Sequence, residues 1–300
     1  MTSSTQPPEL VQLNAETTPK HPLAQFRKYG LKVTDFSDQL WCEKQMEFTL
    51  HRGKEKTEAM VQGSARHQEL HEEITEIVEV KATSREEWWG LQLYNAWACL
   101  RQLRHEGICR EIPVFGKIQG IWLLGIVDEL IEGEDGQVVL SDTKTRRKPS
   151  LPSDAQKLTT RIQLMLYKHM FDQLVTADFP SDDYFTELRL NPEAPFSSEF
   201  IDGFEGLRLP GHDLGTALEE TLATFRKAEP LAPKLETRYE WQTDQSYLGS
   251  DIFPFSKNWL QHQVKTSLSY WRGQREARGV PRSERWKCRF CNFQNDCPYS

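Results

Sequence analysis

The chain has 300 residues and a formal net charge of −7, which argues against a protein that coats duplex DNA with a uniformly basic surface. Its hydrophobic content of 38% and charged content of 27% are those of a globular protein and exclude a fibrous or wholly disordered chain. No run approaches the roughly 20 apolar residues that a membrane-spanning helix needs, and the polar N-terminus lacks the apolar core of a secretory signal, so we expect a soluble protein that is not secreted.

Helical periodicity dominates the first third of the chain. Residues 1 to about 30 contain prolines and no apolar periodicity, and we interpret them as a mobile tail. A first helix is predicted from about Thr34 to Gly53, with Cys42 inside it, and a second from about Thr57 to Val78. A third, from about Arg85 to His105, repeats apolar residues at helical spacing, which is typical of a core helix.

The pattern then changes to that of β-strands. Strands are predicted at Arg110 to Ile118, Ile121 to Ile131 and Val138 to Thr145, and the turn-rich residues 132–136 join the last two. This indicates an antiparallel meander. A long helix from about Ala155 to Val175 follows it.

The remainder of the chain is less regular. Pro, Asp and Gly are frequent after the long helix, where we predict a strand at Tyr184 to Leu190 and a helix at Leu214 to Lys227. A last helix, from about Lys257 to Arg275, leads into a cysteine-rich end. The expected organisation is a tail at 1–30 and a single domain at 31–300, with a core at 57–177, accessory elaboration at 178–256 and a C-terminal helix with a cysteine cluster at 257–300.

Two acidic residues and a lysine stand out in the predicted strands. Asp142 and Lys144 are two residues apart and therefore project from one face, and Asp128 on the neighbouring strand can lie opposite Asp142. Carboxylates are the ligands that Mg²⁺ and Mn²⁺ prefer, and a nearby lysine can stabilise charge on a phosphate. The pattern predicts phosphodiester hydrolysis; its alternative is an exposed ion pair. The apolar run Trp122 to Val127 before Asp128 favours a partner for that charge.

Further residues carry a resemblance to a known group of nucleases. Asp128, the segment Asp142-Thr143-Lys144, and Gln163 and Tyr167 on the following helix resemble the motifs of the RecB-like branch of the PD-(D/E)xK nuclease superfamily. The resemblance implies an α/β (α+β) restriction-endonuclease-like core, with a central mixed sheet flanked by helices. It also implies that the catalytic residues are Asp128, Asp142, Lys144, Gln163 and Tyr167.

The same resemblance gives a role to one histidine. His67, in Gly63-Ser-Ala-Arg-His67, matches the histidine that these nucleases carry on a helix before the sheet, which implies His67, Asp128 and Asp142 as metal ligands. Without the resemblance, a lone histidine on an apolar helical face is more simply a core residue. Glu111 is a further candidate to face this site.

Three of the six cysteines lie close together near the end of the chain. Cys288, Cys291 and Cys297 form a Cys-x2-Cys-x5-Cys segment, and a zinc or iron-sulphur site needs a fourth thiolate. The candidates for it are Cys42, Cys99 and Cys109. Disulfides are disfavoured in a protein expected to be intracellular.

One early cysteine followed by three terminal ones resembles the iron-sulphur RecB-like nucleases and, among them, the exonuclease V family. The resemblance extends from Val33 to Pro298 and is weakest over 178–256. It implies a [4Fe-4S] cluster that joins the N- and C-terminal segments through Cys42, Cys288, Cys291 and Cys297. It also implies a Mg²⁺-dependent exonuclease, with Mn²⁺ as the alternative metal, that acts on single-stranded DNA in DNA repair, in the nucleus or alternatively in the mitochondrion.

Basic residues after the catalytic strand and near the end of the chain are candidates to contact DNA. Arg146, Arg147 and Lys148 follow the strand of Lys144, and eight basic residues against three acidic ones give the segment from Lys265 onward a net charge of +5. The alternative is an ordinary solvated face. We expect a monomer, with a single-strand-binding protein as a candidate partner.

Two other functions remain open at this point. A CRISPR-adaptation nuclease shares the cysteine layout but is typically shorter. A non-catalytic DNA-binding protein would use the cluster only as a structural element, which the intact Asp128, Asp142 and Lys144 argue against.

Overall fold

The structure, a computed structural model, describes residues 21–176 and 179–300. A mixed sheet of six strands lies at its centre, as predicted for the fold class. The strands are β1 (Leu31–Lys32), β2 (Ile108–Ile118), β3 (Ile121–Glu132), β4 (Val138–Arg146), β5 (Lys234–Trp241) and β6 (Tyr247–Pro254).

Strand β3 pairs with three other strands of the sheet. It pairs antiparallel with β2 along almost its whole length. On its other side it pairs with β1 near its start, at Leu31 and Leu123, and with β4 near its end, from Glu129 to Glu132. Among the described residues, no strand lies on that side of the positions between these two pairings, which include Asp128.

Helices flank this sheet. Their bounds are α1 (Pro22–Phe26), α2 (Val33–Trp41), α3 (Glu43–Arg52), α4 (Glu58–Glu72), α5 (Arg85–Glu106), α6 (Asp154–Val175), α7 (Ser181–Leu188), α8 (Ser198–Asp202), α9 (Leu214–Phe225) and α10 (Lys257–Trp271), followed by 3-10 helices at Arg282–Phe290 and Gln294–Asp296. None of these helices has the length and apolar character to cross a membrane, as far as the described residues go.

Helix α5 shows how local sequence sets the core. Ser84 and Glu87 form a capping box at its start, and Gly107, with a φ of 72°, ends it in the left-handed conformation. Leu93 and Leu100 are buried on its inner face. Each such leucine contributes roughly 2 kcal/mol through burial, so this face orders α5 against β2 and α9.

Three predictions about the periphery were wrong. Helix α1 occupies residues assigned to the tail, and its Leu23 and Phe26 pack against the core, whereas residues 1–20 of that predicted tail lie outside the described residues.

The predicted strand at Tyr184 to Leu190 falls instead largely in helix α7, because Tyr184 and Leu188, four residues apart, are buried on one helical face. The predicted helix at 34–53 is two helices, because Cys42 between them has extended backbone.

The interpretation of residues 178–256 as accessory was also wrong in one respect. Strand β5 pairs parallel with β4, from Ser141 opposite Glu236 to Arg146 opposite Trp241, and β6 pairs antiparallel with β5. These two strands extend the central sheet beside the predicted catalytic strand, so part of this segment forms the surroundings of the site.

Candidate active site

The end of the β3–β4 pairing places two acidic residues together. Glu129 and Ser141 are the last paired residues of this ladder, and Asp128 and Asp142 lie one position beyond them. His67 reaches the same place from helix α4, and its Nδ1 lies 3.4 Å from Asp128 Oδ2. One ligand atom from each of these three residues lies within 4.8 Å of the others. The structure thus brings together the three residues predicted to bind a metal.

The electrostatics of this group favour a cation. Asp142 is 2% exposed, and its burial, together with the negative charge of Asp128, raises its pKa from 3.8 to about 8. Asp128 Oδ2 and Asp142 Oδ1 are buried without a hydrogen-bond partner in the described residues. Two carboxylates side by side in a buried place repel each other unless a cation lies between them, so the donor set suits a hard divalent ion with oxygen and nitrogen ligands.

Lys144 lies against both carboxylates. Its Nζ is 2.8 Å from Asp142 Oδ1 and 3.5 Å from Asp128 Oδ2, although the angles at these contacts are not those of hydrogen bonds. Burial alone would lower the pKa of the Lys144 ammonium, but the charges of Asp142 and Asp128 raise it above its ordinary value. Lys144 therefore stays protonated beside the two acids.

His67 is held in a state suited to metal binding. Its burial, and then the positive charge of Lys144, lower its pKa, so the imidazole is neutral at neutral pH. Helix α4, which carries it, has no buried residue. Polar contacts attach this helix to the sheet: Arg66 Nε lies 2.9 Å from Glu240 Oε2, and Arg110 donates to the carbonyl of Leu70.

Glu111, the further candidate, also faces this group. The β2–β3 pairing skips it between Arg110 and Ile112, and its φ is +57°, in the left-handed region that a non-glycine residue rarely adopts. Its Oε1 lies 4.0 Å from His67 Nδ1. Burial raises the pKa of Glu111 above its ordinary value. The unusual backbone of this residue thus turns a carboxyl group toward the site.

The two predicted residues of helix α6 approach from the other side. Gln163 lines the cleft beside Lys144. Tyr167 is 7% exposed and packs over Gly125, where an added Cβ would lie 2.4 Å from the tyrosine ring. Burial, and then the charge of Asp128, raise the pKa of the Tyr167 hydroxyl. Glycine at position 125 is what allows α6 this close approach to β3.

A cleft of about 310 Å³ opens beside Lys144. It is lined by Ser37, Asp38, Trp41, Lys144, Thr145, Arg146, Pro152, Gln156, Thr159, Thr160, Gln163 and Tyr239. Of the three basic residues predicted to contact DNA, Arg146 lines this cleft, whereas Arg147 and Lys148 are exposed in the loop that follows and do not line it.

Tyr239 is a residue of this cleft that the sequence analysis missed. It lies opposite Lys144 in the β4–β5 register and is 2% exposed. Its hydroxyl has no hydrogen-bond partner in the described residues, and burial raises its pKa to about 12. In the sequence, Leu235, Thr237 and Tyr239 alternate with the charged residues Glu236, Arg238 and Glu240, a pattern that predicts a strand and would have indicated this residue.

The four cysteines assigned to a cluster line one small pocket. Cys42 comes from the break between α2 and α3, and Cys288, Cys291 and Cys297 come from the end of the described chain. Burial raises the pKa of Cys42 and of Cys291. Cys99 and Cys109 are buried elsewhere in the core.

The donor set of this pocket is four thiols. Thiolates are the ligands both of structural zinc and of iron-sulphur clusters. The residues present therefore fit either group.

Two comparisons, with a family model and with a sequence relative, point to one family. A family model described as "Exonuclease V - a 5' deoxyribonuclease" matches residues 21–135, 131–221 and 212–299. A protein named exonuclease V from Danio rerio is 31% identical over 285 residues, which are 93% of this chain and 72% of the relative. Among solved structures, a candidate exonuclease from Eubacterium rectale shares 13% identity, with a TM-score of 0.43 over 97% of this chain and 94% of that chain.

Proposed function

Because this chain belongs to the exonuclease V family and is a nuclease, we propose that it is a metal-dependent exonuclease that hydrolyses single-stranded DNA, with its centre at Asp128, Asp142 and Lys144. One observation carries this proposal. His67, Asp128 and Asp142 converge beside Lys144, and two buried carboxylate oxygens there lack hydrogen-bond partners in the described residues.

His67, Asp128 and Asp142 would hold one Mg²⁺, or Mn²⁺ in its place. When bound, the ion supplies positive charge for the scissile phosphate and makes a coordinated water more acidic. Lys144 contributes a permanent positive charge within 3 Å of Asp142, where negative charge develops on the phosphate. Gln163, which lines the cleft, and Tyr167, buried above Gly125, orient the groups around that phosphate.

The preference for single strands is supported by the residues that line the cleft. Trp41 offers an aromatic ring and Arg146 a positive charge at its walls. Such pairs suit a strand whose bases are free to stack, because every base has a face for stacking and every nucleotide a phosphate. Arg147 and Lys148, exposed beyond the cleft, contact the same strand further along.

The core is proposed to be of the PD-(D/E)xK type, in one domain from residue 31 to 300 that acts as a monomer. Its support is the order of Asp128, the Asp142-x-Lys144 strand and helix α6 around the mixed sheet. A role in DNA repair, a location in the nucleus or mitochondrion and cooperation with a single-strand-binding protein rest on the family relationship alone. That relationship favours this function over a CRISPR-adaptation nuclease or a non-catalytic DNA-binding protein.

The four cysteines are proposed to bind a [4Fe-4S] cluster. Its support is the shared pocket of Cys42, Cys288, Cys291 and Cys297 and the thiolate donor set that such a cluster takes. Bound there, the cluster would link the junction of α2 and α3 to the last residues of the chain. Because helix α2 also contributes Trp41 to the cleft, this link would hold one wall of the cleft in position.

The proposal is tested by cleavage of end-labelled DNA with Mg²⁺. Linear single strands labelled at either end, circular single strands and duplexes are compared for the wild type, Asp142→Asn and Asp202→Asn. Asp202, which is exposed at the end of α8, serves as the matched control. We expect cleavage of linear single strands that falls at least about 100-fold in Asp142→Asn alone.

Two outcomes would contradict parts of this proposal. Cleavage of duplexes as fast as of single strands would remove the substrate assignment. Undiminished cleavage by a well-folded Asp142→Asn would remove the site.

A further inference from the structure

The basic residues near the end of the chain fall into two classes in the structure. Arg275 forms an ion pair with Glu43, and Lys287 is 4% exposed, pairs with Glu284 and donates to the carbonyl of Trp41. These two cations are structural. Arg282, Arg285 and Arg289 are exposed and have neither a carboxylate nor a hydrogen-bond partner for their side chains among the described residues.

These three free arginines share the 3-10 helix Arg282–Phe290 with two exposed aromatic residues. Phe290 is 75% exposed and Trp286 is 37% exposed. Large aromatic side chains usually dominate cores and interfaces. Here two aromatic side chains are exposed among arginines without partners. Surfaces that bind single-stranded nucleic acid have this composition. We call Arg282, Arg285, Trp286, Arg289 and Phe290 the aromatic platform.

The aromatic platform is continuous with the cleft. The ring of Trp286 meets that of Trp41 edge to face, with centroids 5.6 Å apart, and Trp41 lines the cleft together with Lys144. Lys287 attaches the 3-10 helix to the end of α2. Its Nζ lies 4.3 Å from the ring centroid of Trp41 and 3.1 Å from the Trp41 carbonyl oxygen. A DNA strand that leaves Lys144 in the direction of the platform would therefore pass over Trp41, whose side chain is held by Trp286 and Lys287.

We propose that the aromatic platform binds the part of a DNA single strand that lies outside the catalytic cleft. Trp286 and Phe290 stack on unpaired bases, and Arg282, Arg285 and Arg289 contact phosphates. This inference rests on the proposed function and adds a second binding region to it. Duplex DNA cannot use the aromatic side chains in this way, because its bases are already stacked on one another, so the platform adds to the preference for single strands.

The platform makes a prediction about strand length. A strand just long enough to fill the cleft does not reach it, whereas a longer strand gains stacking and phosphate contacts. Affinity therefore rises with length in the wild type, and this gain disappears when the platform is removed. A surface that binds an acidic protein instead would leave the dependence on DNA length unchanged.

The test compares a platform variant with a matched control. The platform variant carries Arg285→Gln, Arg289→Gln and Phe290→Ala. The control carries Arg226→Gln, Lys227→Gln and Tyr247→Ala, which remove the same charge and one exposed aromatic residue elsewhere, Tyr247 being 65% exposed. Dissociation constants are measured without divalent metal for fluorescently labelled single strands of increasing length, and cleavage is measured with Mg²⁺.

We expect the platform variant to bind long strands at least about tenfold more weakly than the control. The slope of the logarithm of its association constant against the logarithm of the salt concentration should become less steep by about 1.4. Each of the two arginines that no longer contacts a phosphate accounts for about 0.7 of this change. The shortest strand that is cleaved should be cleaved at the wild-type rate. Of two single variants, Phe290→Tyr, which keeps a stacking ring, should bind long strands as the wild type does, whereas Phe290→Ala should bind them more weakly.

Each outcome separates the two proposals. A wild type that neither binds nor cleaves single strands would end the proposed function. A wild type that does both, with a platform variant equal to the control at every length, would end this inference alone. Equal weakening by Phe290→Ala and Phe290→Tyr would also overturn it, because stacking would then not be the interaction lost. Thermal melting and visible absorbance of each variant confirm that the fold and the cysteine site are unchanged.

Discussion

Tyr239 lies directly opposite Lys144 in the parallel pairing of β5 with β4, and its buried hydroxyl has no hydrogen-bond partner in the part of the chain that is described. A buried hydroxyl without a partner costs about 1–3 kcal/mol. This one lines the cleft in which we propose that the DNA strand is cleaved, so a phosphate oxygen is a suitable acceptor for its hydrogen.

The first prediction concerns the removal of this hydroxyl. Tyr239→Phe should leave the free energy of unfolding unchanged or raise it by about 1 kcal/mol, and should lower kcat/KM on single-stranded DNA about tenfold. Tyr184→Phe is the matched control, because Tyr184 also has a buried hydroxyl without a partner but lies in the aromatic core. Chemical denaturation and steady-state kinetics measure both effects; equal kinetics for the two variants would count against a substrate contact.

The second prediction links metal binding to pH. Burial and the charge of Asp128 raise the pKa of Asp142 to about 8, so below that pH a metal must displace a proton from this carboxyl. Apparent Mg²⁺ affinity should therefore rise about tenfold per pH unit up to about pH 8 and then level off. Calorimetry in buffers of different ionisation enthalpy should detect about one proton released per metal at pH 6. A pH-independent affinity without proton release would contradict the assignment.

The same pKa sets the stability of the metal-free protein. The folded-state pKa of Asp142 lies above its ordinary value of 3.8, so the folded state binds this proton more tightly than the unfolded chain does. The contribution of Asp142 to stability should decrease as pH rises from about 4 to about 8 and stay constant above that. Asp142→Asn should lack this dependence.

The third prediction concerns Glu87, which joins the start of α5 to the segment before α8. It accepts hydrogen bonds from Thr83 at 2.7 Å and from the backbone of Ser197 at 3.0 Å. Burial alone would raise its pKa, but the hydrogen bonds from Ser197 and Thr83 outweigh it and lower the pKa to about 2. Glu87→Gln should destabilise the protein by about 2 kcal/mol at pH 7.

This contribution has a defined pH window. Because the folded pKa is depressed, it is complete above the ordinary value of 4.5 and is lost as the pH falls toward 2. Denaturation of Glu87→Gln and of Glu219→Gln, an exposed control on α9, at pH 7 and pH 3 measures it. Equal stability of the two variants at pH 7 would rule out this role.

The fourth prediction concerns the cysteine pocket. Protein purified without oxygen should be brown and contain iron, and Cys291→Ser should lose both properties, because one thiolate of the four is missing. Cys99→Ser should keep them, since Cys99 is buried on α5 away from the pocket. Metal analysis and visible spectroscopy are sufficient. A colourless, zinc-containing and fully active wild type would refute the cluster.

The fifth prediction concerns helix α4. It has no buried residue, and the ion pair between Arg66 and Glu240 is one of the polar contacts that attach it to β5. Removal of one partner leaves the other unpaired, so Glu240→Gln should increase amide hydrogen exchange in α4 while the amides of β4 keep their protection. The apparent affinity for Mg²⁺ should fall at the same time, because His67 lies on this helix. Unchanged exchange in α4 would show that other contacts hold it.

Much of the fold could be predicted because its signals are local. Strands β2, β3 and β4 and helices α5 and α6 were predicted to within two residues at each end, since their apolar residues repeat at the spacing of the element itself. Strands β5 and β6 were missed as parts of the sheet. Pairing of β5 with β4 joins residues 95 positions apart, such as Ser141 and Glu236, and no local pattern specifies such a partner.

The site divides in the same way. The sequence by itself determined that Asp142 and Lys144 share a face and that Asp128 can meet them, because side-chain alternation along a strand and a short hairpin are properties of adjacent residues. Only the tertiary structure decided that Tyr239 joins them, and that Arg282, Arg285 and Arg289 have no partner among the described residues while Arg275 does. The physical reason is that burial, parallel register and ion pairing depend on chain segments that meet only after the whole core has packed.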